Sequence, residues 1–498
     1  MGEPLILALD QGTTSTRAVV FDRQGASLSE ASRPLRQYYP DDGWVEHDAE
    51  EIFQASIEVM REAVERAGRP ISDVAAIGIT NQRETVVLWD KVTGRPVHRA
   101  IVWQDRRTED VCARLRDDGL EPRITERTGL LLDPYFAGTK LAWLLDNVEG
   151  ARARAEAGEL LAGTIDSWLV WKLTGGARHV TDATNASRTL LFDLRAGDWS
   201  EEMLQIFRVP AKVLPQVVDC AGDGFGETMP DLVGRPIPIR GVAGDQQAAL
   251  MGQGCVRPGE MKATYGTGCF LLVNTGEAAP VSGARLLTTV AARVGGRTTF
   301  ALEGSIFIAG AAIQWLCEGL GVQSPASAEQ LAQAAREDHG VMVVPAFTGL
   351  GAPWWDAGAR GAITGLTRDA GLAEICRATF DACAWQTLDL IEAMRSDAAE
   401  AFGPGVELRI DGGMSRSAWF AQRLADLTGV SVCRASYLET TALGAALFAG
   451  LGAGLYGSME EAAEARPTTD HAKPAWDADA RAAGYARWRA AVQRVRSA

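Results

Sequence analysis

The sequence predicts an α/β protein of two domains with a catalytic cleft between them, and three observations carry that prediction. The chain has 498 residues, and at roughly 100–200 residues per domain it holds two or three packed units. Apolar runs of strand length alternate with helical patterns along most of its length. A strand, a small-residue loop and a second strand open the chain, and a similar arrangement returns after Gly252. The junction therefore falls near residues 250–256, dividing the chain into 1–253 and 254–498.

Taken in order, Leu5 to Leu9 reads as a strand, Asp10 to Arg17 as a polar turn, Ala18 to Phe21 as a second strand and Ala26 to Ser32 as a third, together an antiparallel meander. A helical pattern from Asp48 to Ala67 follows, then a strand over Val74–Thr80 and a hairpin across Asp90–Gly94. Helices are expected around 104–117, 137–148 and 165–173. A strand over Ile237–Ala243 leads into the helix that starts near Ala248. The second half begins with Glu260–Thr264, the turn Tyr265–Gly268 and the strand Cys269–Asn274. Helices at 308–319, 328–337 and 371–396, a strand at 406–410 and a closing strand and helix at 430–450 complete it. The stretch Trp476 to Trp488 is amphipathic and reads as a docking helix.

Composition excludes several function classes. Lys plus Arg number 49 against 64 for Asp plus Glu, a net charge of −15. That field repels phosphate backbones and anionic lipid surfaces, so no nucleic acid is expected as a partner. The uncharged run Thr440 to Met459 is long enough to raise the question of a membrane span. Its five glycines favour a buried helix followed by a glycine turn, and no span is expected. No leader pattern opens the chain, which gives a cytoplasmic expectation. Eight scattered cysteines without a CxxC pair read as reduced core residues, and five distant histidines do not propose a zinc site.

Phosphoryl transfer needs backbone donors around phosphate oxygens, a carboxylate for magnesium and a base near the receiving hydroxyl. The first hairpin offers the first two. Gly12 permits close anion approach, Thr13, Thr14 and Ser15 add hydroxyls, Arg17 adds a cation, and Asp10 ends a strand where a hydrated metal could sit. A second loop, Thr264 to Gly268, could grip a polyphosphate from the other side. A third, Asp411 to Ser415, lies at a strand-to-helix bend, where nucleotides commonly sit. Beyond the strand ending at Thr80, Arg83 and Glu84 could donate to and accept from hydroxyls; a solvated ion pair is the simpler alternative. Asp245 is the best candidate base, with a helix N-cap as its competing role. Trp103 and Phe270 flank polar loops, and as residue types they are expected in the core.

These residues, with the runs Gly43–Asp48, Thr80–Thr85, Asp133–Phe136, Gly244–Ala249, Tyr265–Phe270 and Pro345–Pro353, make the chain resemble the FGGY carbohydrate kinases, and among them the members that phosphorylate glycerol. The resemblance runs from Leu5 to about Gly454. It implies two actin-like (ribonuclease H-like) ATPase domains flanking the cleft, ATP and Mg2+ as co-substrate and cofactor, and glycerol as the acceptor, giving sn-glycerol 3-phosphate in glycerol catabolism. It also implies that Arg83, Glu84, Tyr135, Asp245 and Gln246 contact the hydroxyls while Trp103 and Phe270 cover the carbon face. Thr13, Thr14, Ser15, Arg17 and Thr267 would hold phosphates, Asp10 would help hold magnesium, and Gly310, Gln314 and Gly413 would line the nucleotide site. Asp245 would take the hydroxyl proton. Relatives form dimers or tetramers, so a homo-oligomer is expected.

Two departures from the family pattern stand out. Ser417 occupies the position where an Asn usually approaches adenine, which changes the base contact. The glycine-rich loop that binds fructose bisphosphate in some bacterial members has no counterpart in 227–238, where only Arg235 is suggestive. Two rival functions use the same scaffold: a kinase for another polyol or ketose, such as erythritol or xylulose, and an actin-like nucleotide switch without a small-molecule acceptor.

Overall fold

Two large mixed sheets, with smaller ones beside them, organise the protein, a computed structural model that describes residues 2–497 except 338, 404, 436, 438, 467 and 468. The first sheet has five strands in the order Ile239–Gly244, Val74–Asn81, Leu5–Gln11, Ser15–Phe21, Ser27–Pro34. The last three form the expected antiparallel meander, while Val74–Asn81 runs parallel to both Leu5–Gln11 and Ile239–Gly244. The second sheet has seven strands, in the order Leu287–Val294, Arg297–Ile306, Cys269–Gly276, Met261–Tyr265, Glu407–Gly412, Ser431–Ala435, Thr469–Ala472. Removing its two outer strands leaves the order of the first sheet. Three antiparallel strands come first, then two parallel ones on the far side of the opening strand. The repeat that the sequence shows only as architecture is thus a repeat of topology.

Buried central strands read as near-continuous apolar runs because both of their faces are covered. Leu5, Leu7 and Leu9 point into one core with Ile57, Met60 and Trp168, and Ile6 and Ala8 into another with Ala445 and Phe448. Helix Ala49–Arg66 starts where Asp48 accepts from the backbone N–H of Glu50 and Glu51, a cap visible in the sequence. The helix expected over 104–117 begins only at Glu109. Asp105 explains the late start: its carboxylate accepts from the backbone of Val45 and of Arg107 and from the Arg107 side chain, offering the chain a competing local structure. Seven of the eight cysteines are buried, as the reading of core residues expects.

Helix Thr440–Gly452, the uncharged stretch, packs on helix Asp245–Gly252 and on four strands of the first sheet, although its sequence belongs to the second half. The approach is close because Gly444 and Gly252 lie at the crossing, where an added Cβ would stand 1.7 Å from the Ala248 carbonyl oxygen and 1.9 Å from that of Thr440. Among the described residues no helix is long and apolar enough to cross a membrane. The C-terminal helix Ala478–Val495 docks as expected. Trp488 is fully buried, and both its Nε1 and the Tyr485 hydroxyl donate to Asp389 on the long helix Leu372–Asp397.

Candidate active site

The parallel register brings the first half's candidate residues to one edge. Asp10 lies opposite Thr80, and Asn81 opposite Gly244, so Asp10, the turn Gln82–Glu84 and Asp245 leave the same ends of three neighbouring strands. In the second sheet Thr264 lies opposite Asp411, so the loops after Tyr265 and after Asp411 also leave adjacent parallel strands at matching ends. Crevices beyond such carboxyl ends are where open α/β sheets bind ligands.

The first loop is tied from below. Gly12 N–H donates to the Ser15 carbonyl at 2.9 Å, and the Gly12 carbonyl accepts from the side-chain amides of Gln11 and Gln82 at 2.8 and 3.2 Å. Thr14 is exposed, and Thr13 and Ser15 are half-buried. Arg17 forms an ion pair with Glu439, the N-cap residue of the crossing helix. Asp10 is half-buried; burial, and then the negative charge of Asp245, push its carboxyl up to about 7 against the pull of Arg17. A pair of neighbouring carboxylates in that condition is suited to a divalent cation.

Arg83 and Glu84 are not the solvated ion pair that adjacency allows. Their side chains are 2% and 1% exposed, and their mutual approach is only 3.8 Å. Glu84 has φ of +62°, a left-handed conformation uncommon for a non-glycine residue and typical of functional sites. That twist turns its carboxylate to Arg188, whose Nε donates to it at 2.7 Å. Arg83 instead donates Nη1 to Glu303 at 2.7 Å and to Gln247 at 3.3 Å. Its Nε stands 3.0 Å from Asp245 Oδ1, yet makes no aligned hydrogen bond. Burial raises the Glu84 carboxyl, opposed by Arg83 and Arg188. Burial also acts to raise Glu303, but the guanidiniums of Arg188 and Arg83 outweigh it and hold it at about 2.

Asp245 is the first residue of helix Asp245–Gly252, and Gly244 occupies the N-cap, so the competing role falls one residue early. Asp245 Oδ1 accepts from the Gln246 backbone N–H at 2.7 Å, and its side chain remains 33% exposed. The Gln246 side chain accepts from Lys262, a buried ammonium that also reaches Thr264 at 2.9 Å and whose pKa burial lowers.

Trp103 and Phe270 are half-buried, not core residues. Trp103 Nε1 donates to Thr13 Oγ1 at 2.9 Å, and its ring meets Tyr135 edge-on at 5.5 Å. One hydrogen bond to the first loop thus fixes the Trp103 ring, and the edge contact sets Tyr135 against it. Lys140, held at about 7 by burial, donates to the Tyr135 and Pro134 carbonyls and fixes that loop.

In the second half, Gly310 opens helix Gly310–Leu320. Its N–H donates to the Gly266 carbonyl at 3.0 Å, and the N–H groups of Ala309 and Ala311 donate to that of Thr267. A Cβ at Gly310 would stand 2.4 Å from the Gly266 oxygen, so only glycine allows this loop and helix to meet. Gln314, one turn on, is exposed and donates to Glu318, and Gly413 is exposed. Ser417 caps helix Ala418–Thr428, its Oγ accepting from Phe420 N–H at 2.9 Å, so its acceptor is engaged within the chain.

Three polar residues at the site escape sequence reasoning: Arg188, Glu303 and Lys262. Asp411 is buried, accepts from Gln253 and Thr440, and has an Oδ1 without a partner. A cluster of Glu407, Cys433 and His471, with ligand atoms within 4.8 Å of one another, also escapes linear spacing; it lies at the opposite end of strand Glu407–Gly412 from the third loop. Arg235 donates to the Ile71 and Val74 carbonyls.

Comparisons with known proteins match both halves of the chain. Residues 5–252 match the N-terminal domain of the FGGY family of carbohydrate kinases, and residues 261–453 its C-terminal domain. The chain is 56% identical over 491 residues to a glycerol kinase of Methylobacterium nodulans, covering 98% of this chain and 97% of that one. It is 56% identical over 493 residues to one of Alcanivorax borkumensis, covering 99% and 98%. The crystal structure of Plasmodium falciparum glycerol kinase with ADP superposes with a TM-score of 0.94 at 34% identity, covering 99% of this chain and 98% of that one. A xylulose kinase of Lactobacillus acidophilus, at 21% identity and a TM-score of 0.85 over 97% and 96% of the two chains, shares the fold. With both of its halves matched in this way, the protein belongs to the FGGY family of carbohydrate kinases.

Proposed function

We propose that the protein is a glycerol kinase, transferring the γ-phosphoryl group of ATP to a terminal hydroxyl of glycerol and releasing sn-glycerol 3-phosphate and ADP. One observation carries the choice of acceptor: a nearly solvent-free set of charged groups, Arg83 and Glu84 with their partners, opens onto Asp245 beside the Gly12–Ser15 loop. A three-carbon polyol has little apolar surface. Its recognition must come from buried donors and acceptors that an analogue lacking a hydroxyl would leave unpaired. The identity to curated glycerol kinases over nearly the whole chain supports the same acceptor.

In this mechanism Arg83, Glu84, Tyr135 and Gln246 bind the hydroxyls, and Trp103 and Phe270 close over the carbon chain. Asp245 Oδ1 is engaged by Gln246 N–H and faces Arg83 Nε, which leaves Oδ2 to accept the proton of the attacking hydroxyl. The alcohol is a weak acid and the transition state is loose, so the proton leaves late and positioning supplies most of the rate. Thr13, Thr14, Ser15, Arg17 and Thr267 hold the phosphates, and Gly310, Gln314, Gly413 and Ser417 line the nucleotide. Asp10 holds Mg2+, which neutralises charge on the phosphates when bound. The division into residues 1–253 and 254–498, a cytoplasmic location and assembly as a dimer or tetramer belong to the same proposal, the last two on family precedent.

The test is ADP release from Mg-ATP by purified protein with glycerol, dihydroxyacetone, erythritol and xylulose at matched concentrations. Strong preference for glycerol is expected. Preference for another polyol or ketose would reassign the acceptor, and ATP-dependent assembly without polyol-dependent ADP release would overturn the kinase function.

A further inference from the structure

Beneath the acceptor pocket lies a closed ring of four ionised side chains, Arg83, Glu84, Arg188 and Glu303, each at most 2% exposed. Two cations and two anions cancel, but the ring is not symmetric. Glu303 is the shared acceptor, taking Arg83 Nη1 at 2.7 Å and Nη2 at 3.3 Å in a fork, and Arg188 Nη2 at 2.9 Å. Arg188 reaches the other way to Glu84 at 2.7 Å. Its guanidinium also lies over Phe136 and Tyr135, 5.2 and 5.7 Å from the ring centroids.

Glu303 comes from the second sheet, on strand Arg297–Ile306, whereas Arg83, Glu84 and Arg188 come from the first half. The groups that would touch glycerol are therefore oriented by a carboxylate from the opposite half. Resting on the glycerol kinase assignment above, we infer that Glu303 and Arg188 are positioning residues that set acceptor specificity: Glu303 holds both terminal nitrogens of Arg83 away from Asp245, and Arg188 presents the carboxylate of Glu84.

The geometry says what would happen without them. With its fork occupied by Glu303, Arg83 offers Asp245 only Nε, and that buried N–H makes no aligned hydrogen bond within the chain, so it stays open to a hydroxyl. If Glu303 loses its charge, the nearest remaining carboxylate for the fork is Asp245, and a bidentate pair there occupies both oxygens of the base. If Arg188 is shortened, Glu84 loses its only charge-assisted partner at hydrogen-bond distance among the described residues. Either change removes discrimination among acceptors while leaving the nucleotide loops, which use other residues, in place.

The experiment measures wild type, Glu303→Gln, Glu303→Asp and Arg188→Lys with glycerol, 1,2-propanediol and 1,3-propanediol at saturating Mg-ATP, together with KM for ATP. For Glu303→Gln, kcat/KM for glycerol is expected to fall about 100-fold, the ratio of glycerol to either diol to fall about tenfold, and KM for ATP to stay within about threefold. Glu303→Asp should recover about tenfold of the loss, since the charge returns on a shorter arm. Arg188→Lys, whose ammonium cannot span two carboxylates, should lose about tenfold in glycerol kcat/KM with KM for ATP unchanged. If Glu303→Gln shows no cooperative thermal transition, Arg188→Lys decides by the same criteria. Folded variants that keep glycerol kcat/KM within about threefold, or that lose glycerol and diol activity equally, overturn the inference. Wild-type protein without glycerol-dependent ADP release would instead overturn the assignment on which it rests.

Discussion

Asp245→Asn is the perturbation that most directly tests the chemistry. The two side chains are isosteric, so packing is unchanged and the difference lies in charge and in which atoms donate. Oδ1 receives the Gln246 N–H at 2.7 Å and faces Arg83 Nε at 3.0 Å. Both neighbours are donors, so the asparagine oxygen must take this position and its NH2 must take the position of Oδ2. The group that should accept the substrate proton thereby becomes a donor. A positioned base contributes about 10²–10⁴-fold to rate, equivalent to about 3–5 kcal/mol of barrier. Because the proton leaves late in a loose transition state, the reversal of hydrogen-bonding sense adds mispositioning to the lost basicity, and we expect kcat to fall about 10³-fold. ADP affinity should change by no more than about threefold, because Gly310, Gln314, Gly413 and Ser417, proposed to line the nucleotide, lie in the second half, whereas Asp245 begins a helix of the first. The assay pairs glycerol-dependent ADP release with ADP binding by calorimetry. A kcat within about tenfold of wild type would remove Asp245 from the role of base.

Four further outcomes are expected. Gly310→Ala places a Cβ against the Gly266 carbonyl oxygen, 2.4 Å away, a backbone atom that cannot turn aside; overpacking of about 1–3 kcal/mol should weaken ADP binding by about tenfold or more and leave KM for glycerol nearly unchanged, as calorimetry and steady-state kinetics would show. Trp103→Phe keeps a ring over the pocket but removes the 2.9 Å hydrogen bond to Thr13; at about 1 kcal/mol, kcat/KM should drop about fivefold. His47 is buried and neutral, its pKa lowered from 6.5 to about 4 by burial. The unfolded chain takes up the proton first, so this contribution is complete above pH 6.5 and is lost as pH falls toward 4, roughly 3 kcal/mol at about 1.4 kcal/mol per pH unit; denaturant unfolding of His47→Gln across that window should show a shallower acid limb. Fructose 1,6-bisphosphate should inhibit weakly or not at all, since Arg235 donates to the Ile71 and Val74 carbonyls; strong inhibition at millimolar bisphosphate would contradict this.

What the sequence makes legible follows from the range of the forces involved. Leu5–Gln11 and Met261–Tyr265 announce themselves because a strand covered on both faces must be apolar along its length, and the small-residue bends at their ends mark the loops proposed to hold phosphate. Asp245 is legible for the same reason, standing at the end of such a strand. Arg83 and Glu84 are legible as charged residues beyond a strand, but the partners that hold them are not. Neighbours of opposite charge suggest a pair, whereas the left-handed backbone of Glu84 sends the two side chains to different partners, 220 and 104 residues away. Glu303 is invisible because a single Glu in the run Arg297–Ile306 reads as the polar position of an edge strand until the opposite half supplies two guanidiniums. Residues whose role is set by a partner across the cleft carry no local signal.

The crossing helix Thr440–Gly452 explains how a site divided between two sheets keeps its register. Its N-terminus is held from both sides of the cleft: Glu439 pairs with Arg17, beside the first phosphate loop, and Thr440 with Asp411, at the base of the third. Its body then runs over the first sheet with glycine at the points of closest approach, leaving no free volume for sliding. A rotation of one half against the other would therefore pivot near this helix, because backbone in van der Waals contact cannot separate there without opening a void. In the kinase reaction proposed above, the hydrogen bond from Arg83 to Glu303 joins the two halves and would be broken by opening, so Arg83 would take its working orientation only with the halves together, and closure would couple acceptor recognition to the protection of ATP from water.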